Sequence, residues 1–451
     1  MMDALSFVKF SELQNWSVQY TTQNLFHYAN HFPLETIGMF LFRVKEKVDV
    51  EDDTSYKRLT IKSKNGGVVV RDELIGRKIG TKQQYLVRSG QFALSKIDAR
   101  NGAFGVVPED ANNAIITSNF WTYDVDYNLI NPFFLSLLTT TKSFIDFAEK
   151  SSNGTTNRHY LQESLFLSQR VPLPSMSQQN EIVFKYNQAI AEAEAKEAQA
   201  ERLENEIEQY LLGELRVDIH YKEKDNHFGP LHIVHSKTLS KWGYDYLSDR
   251  NGSILDSKLY NNVPLRKLMD VNPSTSLSIL KEDEDISFIP MECVSDVYGE
   301  IIEQRIVKSK QSKGYTKFQD GDLIWAKITP CMQNGKSAIV RDLQNGFGCG
   351  STEFHVLRKS SPEILTEFVY CLLRTQYILE DAKKYFTGSA GQQRVPKTYL
   401  QQLAIPLPPI DIQNSIVAHI AEMKAQIKLL KQQAAELRDK ALKDFENEIF
   451  E

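Results

Sequence analysis

Cysteine is scarce in this 451-residue sequence, and its four copies, Cys293, Cys331, Cys349 and Cys371, all lie in the second half. No two of them have the close spacing of metal ligands, and Met1–Ala4 lacks the basic-then-apolar start of a signal peptide. No stretch approaches the roughly 20 apolar residues that a membrane helix needs. These absences argue against disulfide-stapled, zinc-binding and membrane-spanning proteins, and they predict reduced thiols in a cytoplasmic protein.

Recognisable catalytic motifs are also missing. The sequence has no G-x-x-x-x-G-K-[ST] phosphate loop, no H-E-x-x-H zinc helix and no G-x-S-x-G nucleophile turn. The glycine-rich stretch Gly346–Gly350 is more typical of a turn before a strand at Ser351–Val356. Asn131–Phe134 lacks the second proline of an Asn-Pro-Pro-Tyr type motif and fits a helix start. We therefore expect no catalytic residue and no metal site in this chain.

The net charge of −5 is unusual for a nucleic-acid binder, but the acidic residues are unevenly distributed. Gln178–Leu215 holds nine acids and three bases, and Asp411–Glu451 holds eight acids and six bases. The rest of the chain is left with a net charge of +3. This distribution permits phosphate binding outside the two acidic stretches, although it does not require it.

The two halves of the sequence match each other at an offset of about 230 residues. Ser89–Ile97 aligns with Asp320–Ile328, and both segments lead into a polar loop that contains Asn-Gly. The closest match joins Val171–Pro174 to Ile405–Pro408, each followed at the same spacing by Gln-Asn and then by Ile-Val. The chain is therefore a duplicated unit.

Each unit is predicted to be a mixed α/β module. In the first, β-rich runs at Leu59–Ile61, Gly67–Val70, Gln91–Ile97 and Ala114–Ile116 are punctuated by glycine and asparagine. A helix is predicted near Asn131–Phe147, and the proline-rich segment then forces an extended chain.

A long helix is predicted after each proline-rich segment. From Ile416 to Ala441, apolar or small residues recur at alternating spacings of four and three, and the first copy has a weaker, alanine-rich version. Because neither helix can bury its stripe alone, we expect the two to pack together as an antiparallel coiled coil. The alternative is a coiled coil between two copies of the chain. The predicted seam is Ile190, Leu203, Ile207, Ile416, Ile420, Met423, Ile427, Leu430 and Leu437.

The expected fold is therefore mixed α/β (α+β), with modules at residues 1–177 and 219–410 and long helices at residues 178–218 and 411–451. The 26 residues from Ile416 to Ala441 would make a helix of roughly 39 Å. One turn of B-DNA is about 34–36 Å. Helices of this length would hold the two modules about one turn of B-DNA apart.

This arrangement resembles the specificity subunit of type I restriction–modification enzymes over nearly the whole chain. The most specific marks are Ile405–Pro409 with Gln413 and the heptads that follow, and the loops Gly154–Arg158 and Gly388–Arg394. At the first boundary, Ser175–Ser177 replaces the second proline and the apolar residue that the family usually has there.

The resemblance implies two target recognition domains separated by conserved spacer helices, in a chain without catalytic activity of its own. Such a chain reads a bipartite, asymmetric site in double-stranded DNA and docks two methyltransferase subunits and restriction (translocase) subunits. S-adenosylmethionine, ATP and Mg²⁺ are expected on those partners and not on this chain. The alternative is a duplicated scaffold that binds other proteins, and a salt-dependent, sequence-selective DNA affinity would separate the two.

The candidate DNA contacts are basic or amide side chains on polar loops, because such groups can reach phosphates and base edges. Solvated loop lysines, buried lysine stems and helix capping are the competing interpretations. Arg394, if it pairs with a guanine, should be worth about 1–3 kcal/mol at one base position. The candidates are Lys62, Lys64, Lys96, Arg100, Asn101, Thr156, Asn157 and Arg158 in the first module, and Lys308, Lys310, Lys313, Lys327, Gln333, Asn334, Lys336, Gln392, Gln393, Arg394 and Lys397 in the second.

Overall fold

A computed structural model describes residues 28–29, 32–153, 159–217, 254–389 and 392–451. The chain forms two compact units, residues 1–195 with 433–451, and residues 196–432. Each unit contains one sequence repeat together with part of each long helix. The helices are therefore shared between the two units and are not separate domains.

A four-stranded antiparallel sheet lies at the centre of each repeat, and its strand order is the same in both. In some of these strands, buried residues alternate with outward-facing ones. In the runs Phe92–Ser95 and Leu323–Ala326, the residues on both faces of the sheet are buried. The strands are β2 (Leu41–Val44), β10 (Phe120–Val125), β7 (Phe92–Ser95) and β8 (Phe104–Val106) in the first repeat, and β15 (Met269–Val271), β22 (Phe354–Lys359), β19 (Leu323–Ala326) and β20 (Ser337–Ile339) in the second.

A second, mixed sheet also has a common plan, with one difference. In the second repeat the order is β18 (Thr316–Gln319), β21 (Phe347–Gly350), β16 (Asp285–Ile289) and β17 (Arg305–Lys308). The first repeat has the equivalent order β6 (Gln83–Leu86), β9 (Ile115–Ile116), β4 (Ser55–Ile61) and β5 (Val68–Ile75). It adds strand β3 (Lys47–Asp49) beside β6, whereas no described strand pairs with the outer edge of β18 in the second repeat.

The proline motif of each repeat pairs with the strand that opens it. β13 (Arg170–Pro172) pairs with β1 (Leu34–Thr36), and β23 (Ala404–Pro406) pairs with β14 (Asn262–Pro264). The first repeat also has the short pair β11 (Ser152–Asn153) and β12 (Tyr160–Leu161). The ends of each repeat are therefore held together.

The single helix predicted near Asn131–Phe147 is wrong in detail, because the structure has two helices there: α1 (Pro132–Thr140) and α2 (Lys142–Lys150). Thr141 is extended and its hydroxyl accepts a hydrogen bond from the Phe144 N–H, which ends one helix and caps the next. The predicted helix start at Asn131 is confirmed, since its side chain accepts from the Phe133 N–H at 2.9 Å. The other short helices are α3 (Glu163–Ser168), α5 (Thr366–Leu373), α6 (Gln376–Lys383) and α7 (Lys397–Gln402).

The glycine-rich stretch is a strand and not the predicted turn, because Phe347–Gly350 forms β21. A side chain at Gly350 would place its Cβ 2.1 Å from the Ile289 carbonyl oxygen, and one at Gly348 would lie 2.4 Å from the Phe318 ring. Glycine is therefore required for close strand packing here and not for a cofactor.

The two long helices are α4 (Met176–Glu214) and α8 (Ile410–Phe450). In the second unit, Glu204 pairs with Lys431 at 2.7 Å, and the Tyr210 ring lies 4.4 Å from the ring of His419. The partner's residue number falls as the α4 number rises, so the helices run antiparallel there. In the first unit, Ile182 of α4 packs in the same core cluster as Phe445 and Ile449 of α8.

A buried glutamine attaches each repeat to the helix that follows it. The Gln413 side chain is fully buried; it accepts from the Leu365 N–H at 2.9 Å and donates to the carbonyl oxygens of Glu363 and Pro408. Gln179 makes the equivalent three hydrogen bonds in the first repeat. The glutamine that recurs in both boundary motifs is therefore structural.

Among the described residues, no helix is both long enough and apolar enough to cross a membrane. The four cysteines are free thiols.

Candidate nucleic-acid interface

In the first repeat, the structure brings two of the predicted clusters together. Lys62 and Lys64 are exposed on the turn between β4 and β5, and the Lys64 N–H donates to the Asn101 carbonyl oxygen at 2.6 Å. Lys64 has a φ of 58°, and the neighbouring turn at Gly102 has a φ of 76°. Arg100, on the same turn as Asn101, is half-buried. These loops form one polar surface of the first repeat.

Lys96 occupies the end of β7 and is half-buried. Its ammonium lies 5.6 Å from the centre of the Tyr160 ring, which is a cation–π contact. Thr156, Asn157 and Arg158, the third predicted cluster, lie outside the described residues.

In the second repeat, four lysines line a single cleft of about 670 Å³. Three of them, Lys310, Lys313 and Lys327, were predicted from the sequence, and Lys317 was missed. Lys317 was overlooked because it lies within a strand, β18, and only the pairing of that strand at a sheet edge turns the side chain towards the cleft. Serine and threonine side chains and the aromatic ring of Tyr315 complete the lining.

The charged side chains that line this cleft are all positive, because none of the described lining residues is acidic. The charge of Lys310 is neutralised by Asp283, which forms an ion pair with it at 2.6 Å but is not part of the cleft lining. Within the described part of the chain, Lys313, Lys317 and Lys327 form no salt bridge. Like charges gathered around a cleft repel each other, so an anion that entered it would be stabilised.

Lys308, also predicted, lies on β17 and pairs with Asp285 at 2.8 Å. It does not line the cleft.

One wall of the cleft is fixed by a buried histidine. The His355 Nε2 lies 2.8 Å from the Val395 carbonyl oxygen, and its Nδ1 lies 3.0 Å from the Asn272 side-chain nitrogen. Burial lowers the pKa of His355 to about 4, so the ring is neutral at physiological pH. Asn272 has a φ of 53° and lines the cleft, and the histidine therefore holds a strained turn in place.

Arg394 has a partner within the protein. Its guanidinium forms two 2.8 Å hydrogen bonds to the Glu353 carboxylate and a third, at 3.0 Å, to the Gln392 carbonyl oxygen. The hydrogen bond from Arg394 holds the pKa of Glu353 below its usual value. A base contact by Arg394 would have to compete with this bidentate pair, so the geometry favours a role in holding its loop.

The remaining predicted residues of the second repeat lie around the same loop. The Thr329 N–H donates to the Gln393 carbonyl oxygen at 3.0 Å, which joins the loop after β19 to the Arg394 loop. Lys336 donates to the Met291 carbonyl oxygen at 3.2 Å and is half-buried. The other side chains in this region are half-buried Gln333 and Gln393 and exposed Asn334, Gln392 and Lys397.

Lys96 and Lys327 occupy equivalent positions in the two repeats. The Lys96 N–H donates to the Asn119 carbonyl oxygen, and the Lys327 N–H donates to that of Glu353. The carbonyl oxygens of the two lysines accept from Leu161 and Val395. Both lysines therefore lie where the central sheet meets the loop that follows the short helices.

Of the predicted helix seam, Ile427 and Leu430 pack with Ala200 of the other helix, and Ile416 and Ile420 lie in the core cluster of the second repeat. Ile416, Ile420, Met423, Ile427 and Leu430 are buried. Ile190, Leu203, Ile207 and Leu437 are half-buried. The seam extends beyond the predicted residues to Phe445 and Ile449, which lie in the first unit's core.

Among the described residues, no group of three or more histidine, cysteine, aspartate or glutamate side chains could hold a metal ion.

A family model described as the type I restriction modification DNA specificity domain matches residues 260–439. The type I restriction enzyme EcoEI specificity subunit of Escherichia coli is 35% identical over 173 residues, and the EcoAI specificity subunit of the same organism is 37% identical over 171. Each alignment covers 38% of this chain and 29% of the relative. The match therefore spans less than a third of the curated relatives' length.

A solved structure described as "Structural basis underlying complex assembly and conformational transition of the type I R-M system" contains a chain with a similar fold. It superposes with a TM-score of 0.54 at 17% identity and covers 93% of this chain and 97% of its own. The predicted fold of two duplicated α/β modules with long helices is confirmed by this likeness.

Proposed function

We propose that the whole chain is the DNA-recognition subunit of a type I restriction–modification enzyme, because residues 260–439 match the model of the type I restriction modification DNA specificity domain. Each repeat would read one half of a bipartite, asymmetric DNA site. The observation that carries the proposal is the cleft of the family-matched repeat, where Lys313, Lys317 and Lys327 surround a space free of acidic lining residues. Phosphate groups are the anions that DNA presents to such a site.

In this proposal, the chain has no catalytic role and acts through partner subunits. Two methyltransferase subunits and restriction (translocase) subunits would dock on it, and they would carry S-adenosylmethionine, ATP and Mg²⁺. The exposed side chains of α4 and α8 would offer these subunits a docking surface. The site of action would be the cytoplasm.

The experiment is to co-express the chain with the methyltransferase encoded beside it and to map adenine methylation across the host genome. We expect methylation at a single two-part motif with a fixed unread gap. Co-purification of the two proteins without any methylated motif would instead favour a scaffold that binds proteins and not DNA.

The spacing role of the long helices stays a prediction. Insertion of one helical turn into both α4 and α8 should lengthen the unread gap of the methylated motif. An unchanged gap in that variant would rule out this role.

A further inference from the structure

The clearest difference between the repeats lies at one edge of the second sheet. In the second repeat β18 is the edge strand, and its residues Thr316 and Lys317 line the lysine cleft. In the first repeat the equivalent strand β6 is paired on that side by β3, with Lys47 opposite Tyr85 and Asp49 opposite Gln83. Among the residues that the structure describes, this edge is therefore unpaired in the second repeat and covered in the first.

The segment that makes this difference follows the first strand of each central sheet. In the first repeat, residues 45–54 leave β2 and form β3. In the second repeat, residues 272–284 leave β15 without forming a strand, and Asn272–Thr275 form a wall of the cleft. Pro273 has no N–H to donate to a sheet, which is unfavourable for pairing along β18.

The first repeat also neutralises the cations beside this edge. Lys82 pairs with Asp52 at 2.5 Å, Arg88 pairs with Glu46 at 2.9 Å, and Arg77 pairs with Asp53. All three acids belong to the segment that carries β3. The segment therefore supplies both the covering strand and the negative charges that balance the nearby bases.

We infer that the lysine cleft beside β18 in the second repeat binds the DNA phosphate backbone. In the first repeat, segment 45–54 covers the equivalent position, so the first repeat lacks this binding site. This inference rests on the proposed function and adds an asymmetry to it. The second repeat contributes more of the salt-dependent affinity for DNA than the first repeat does. The DNA affinity of the first repeat depends more on contacts that do not involve phosphate.

The test measures how the affinity of the full-length chain for DNA depends on salt. The probe is a mixed-sequence duplex of about 30 base pairs, because phosphate contacts do not require the target sequence. The variant K313Q/K317Q removes two cleft charges. Its control, K267Q/K359Q, removes two exposed lysines of the same repeat that do not line the cleft.

Each lost phosphate contact should reduce the slope of log K against log salt by about 0.9. We therefore expect K313Q/K317Q to lower the slope by about 2, with no change in K267Q/K359Q. The first-repeat variant K62Q/K64Q should lower it less than the cleft variant does. An unchanged slope in K313Q/K317Q, or an equal loss in K62Q/K64Q, would overturn the inference while leaving DNA binding intact.

A second variant tests the first repeat without removing any lysine. The substitutions D52N/D53N release Lys82 and Arg77 from their acidic partners, so the slope should become steeper. A slope that does not change would contradict the neutralising role of segment 45–54. If the unaltered chain shows no salt-dependent affinity for the duplex at all, the proposed function itself fails.

Discussion

The first repeat closes the β6 edge with strand β3, whereas the second leaves β18 at the edge of a lysine-lined cleft. Around this difference, the central sheets, the proline-motif strands and the glutamine attachments are the same in both repeats. Duplication has therefore preserved the parts that build the core and hold the helices. The connection after the first central strand was free to change, because it lies at the surface and carries little of the core.

A polar contact at the same place in both central sheets differs in charge and in the burial of its carboxylate, because Asp322 is buried and Asp124 is exposed. In the second repeat, Arg358 donates two hydrogen bonds to Asp322, at 2.8 and 2.7 Å, and only 1% of the Asp322 side chain is exposed. In the first repeat, the Gln91 amide donates to Asp124 at 2.8 Å. The second repeat therefore has an ion pair at the position where the first has a hydrogen bond from an amide to a carboxylate. The same fold accommodates both contacts, but we expect its stability to depend more on one than on the other.

The largest effect should come from breaking this ion pair. Arg358→Met leaves a buried carboxylate without its cation, which should destabilise the second repeat by about 3–5 kcal/mol. Gln91→Leu removes an uncharged donor to Asp124, whose exposed carboxylate can bind water instead, so it should cost the first repeat only about 0.5–1.5 kcal/mol. Hydrogen–deuterium exchange in denaturant, followed separately for peptides of each repeat, measures both. Equal losses would show that the charge of the pair does not matter.

The glutamine attachments should instead behave alike in the two repeats. Gln179→Ala and Gln413→Ala each leave buried backbone groups unsatisfied, so each should lower the free energy of unfolding of its own repeat by about 1–3 kcal/mol. The same exchange experiment measures this. Asn414→Ala, at an exposed neighbour, is the control and should change stability by less than about 0.5 kcal/mol. A large loss in one repeat only would mean that the attachments are not equivalent.

The smallest effect concerns Glu353, whose equivalent in the first repeat is Asn119. Because the Arg394–Glu353 pair is partly exposed, Glu353→Gln should cost about 1 kcal/mol or less at neutral pH. The pKa of Glu353 is lowered in the folded protein, so its contribution is present above its ordinary value of 4.5 and is lost as the pH falls below it. Unfolding measured from pH 7 to acid should show the difference between variant and parent vanish.

The same pair distinguishes positioning from base reading at Arg394. If Arg394 holds the loop through Glu353, then Glu353→Gln and Arg394→Ala should weaken DNA binding alike. A loss confined to Arg394→Ala, at one base position of the target, would restore the sequence-based prediction of a guanine contact.

The duplication, the α/β class and the paired helices followed from the sequence because each depends on local patterns. The heptad spacing of Ile416, Ile420 and Met423 specifies a buried stripe whatever the rest of the chain does. The recurring Pro-Leu-Pro segments mark where each module ends. The break at Thr141 and the strand at Phe347–Gly350 were not predictable, since a hydroxyl cap and a close strand approach depend on three-dimensional neighbours.

The sequence by itself determined that this chain is two α/β modules with two long helices, because hydrophobic periodicity and prolines act over a few residues. It also selected three of the four lysines that line the cleft. Only the tertiary structure decided which basic side chains share a cleft, which are neutralised and which hold loops. Lys317 lines the cleft because its strand is the edge strand of the sheet. Arg394 pairs with the carboxylate of Glu353, which lies 41 positions away in the sequence. Charge pairing depends on distances across the fold, and no local pattern encodes them.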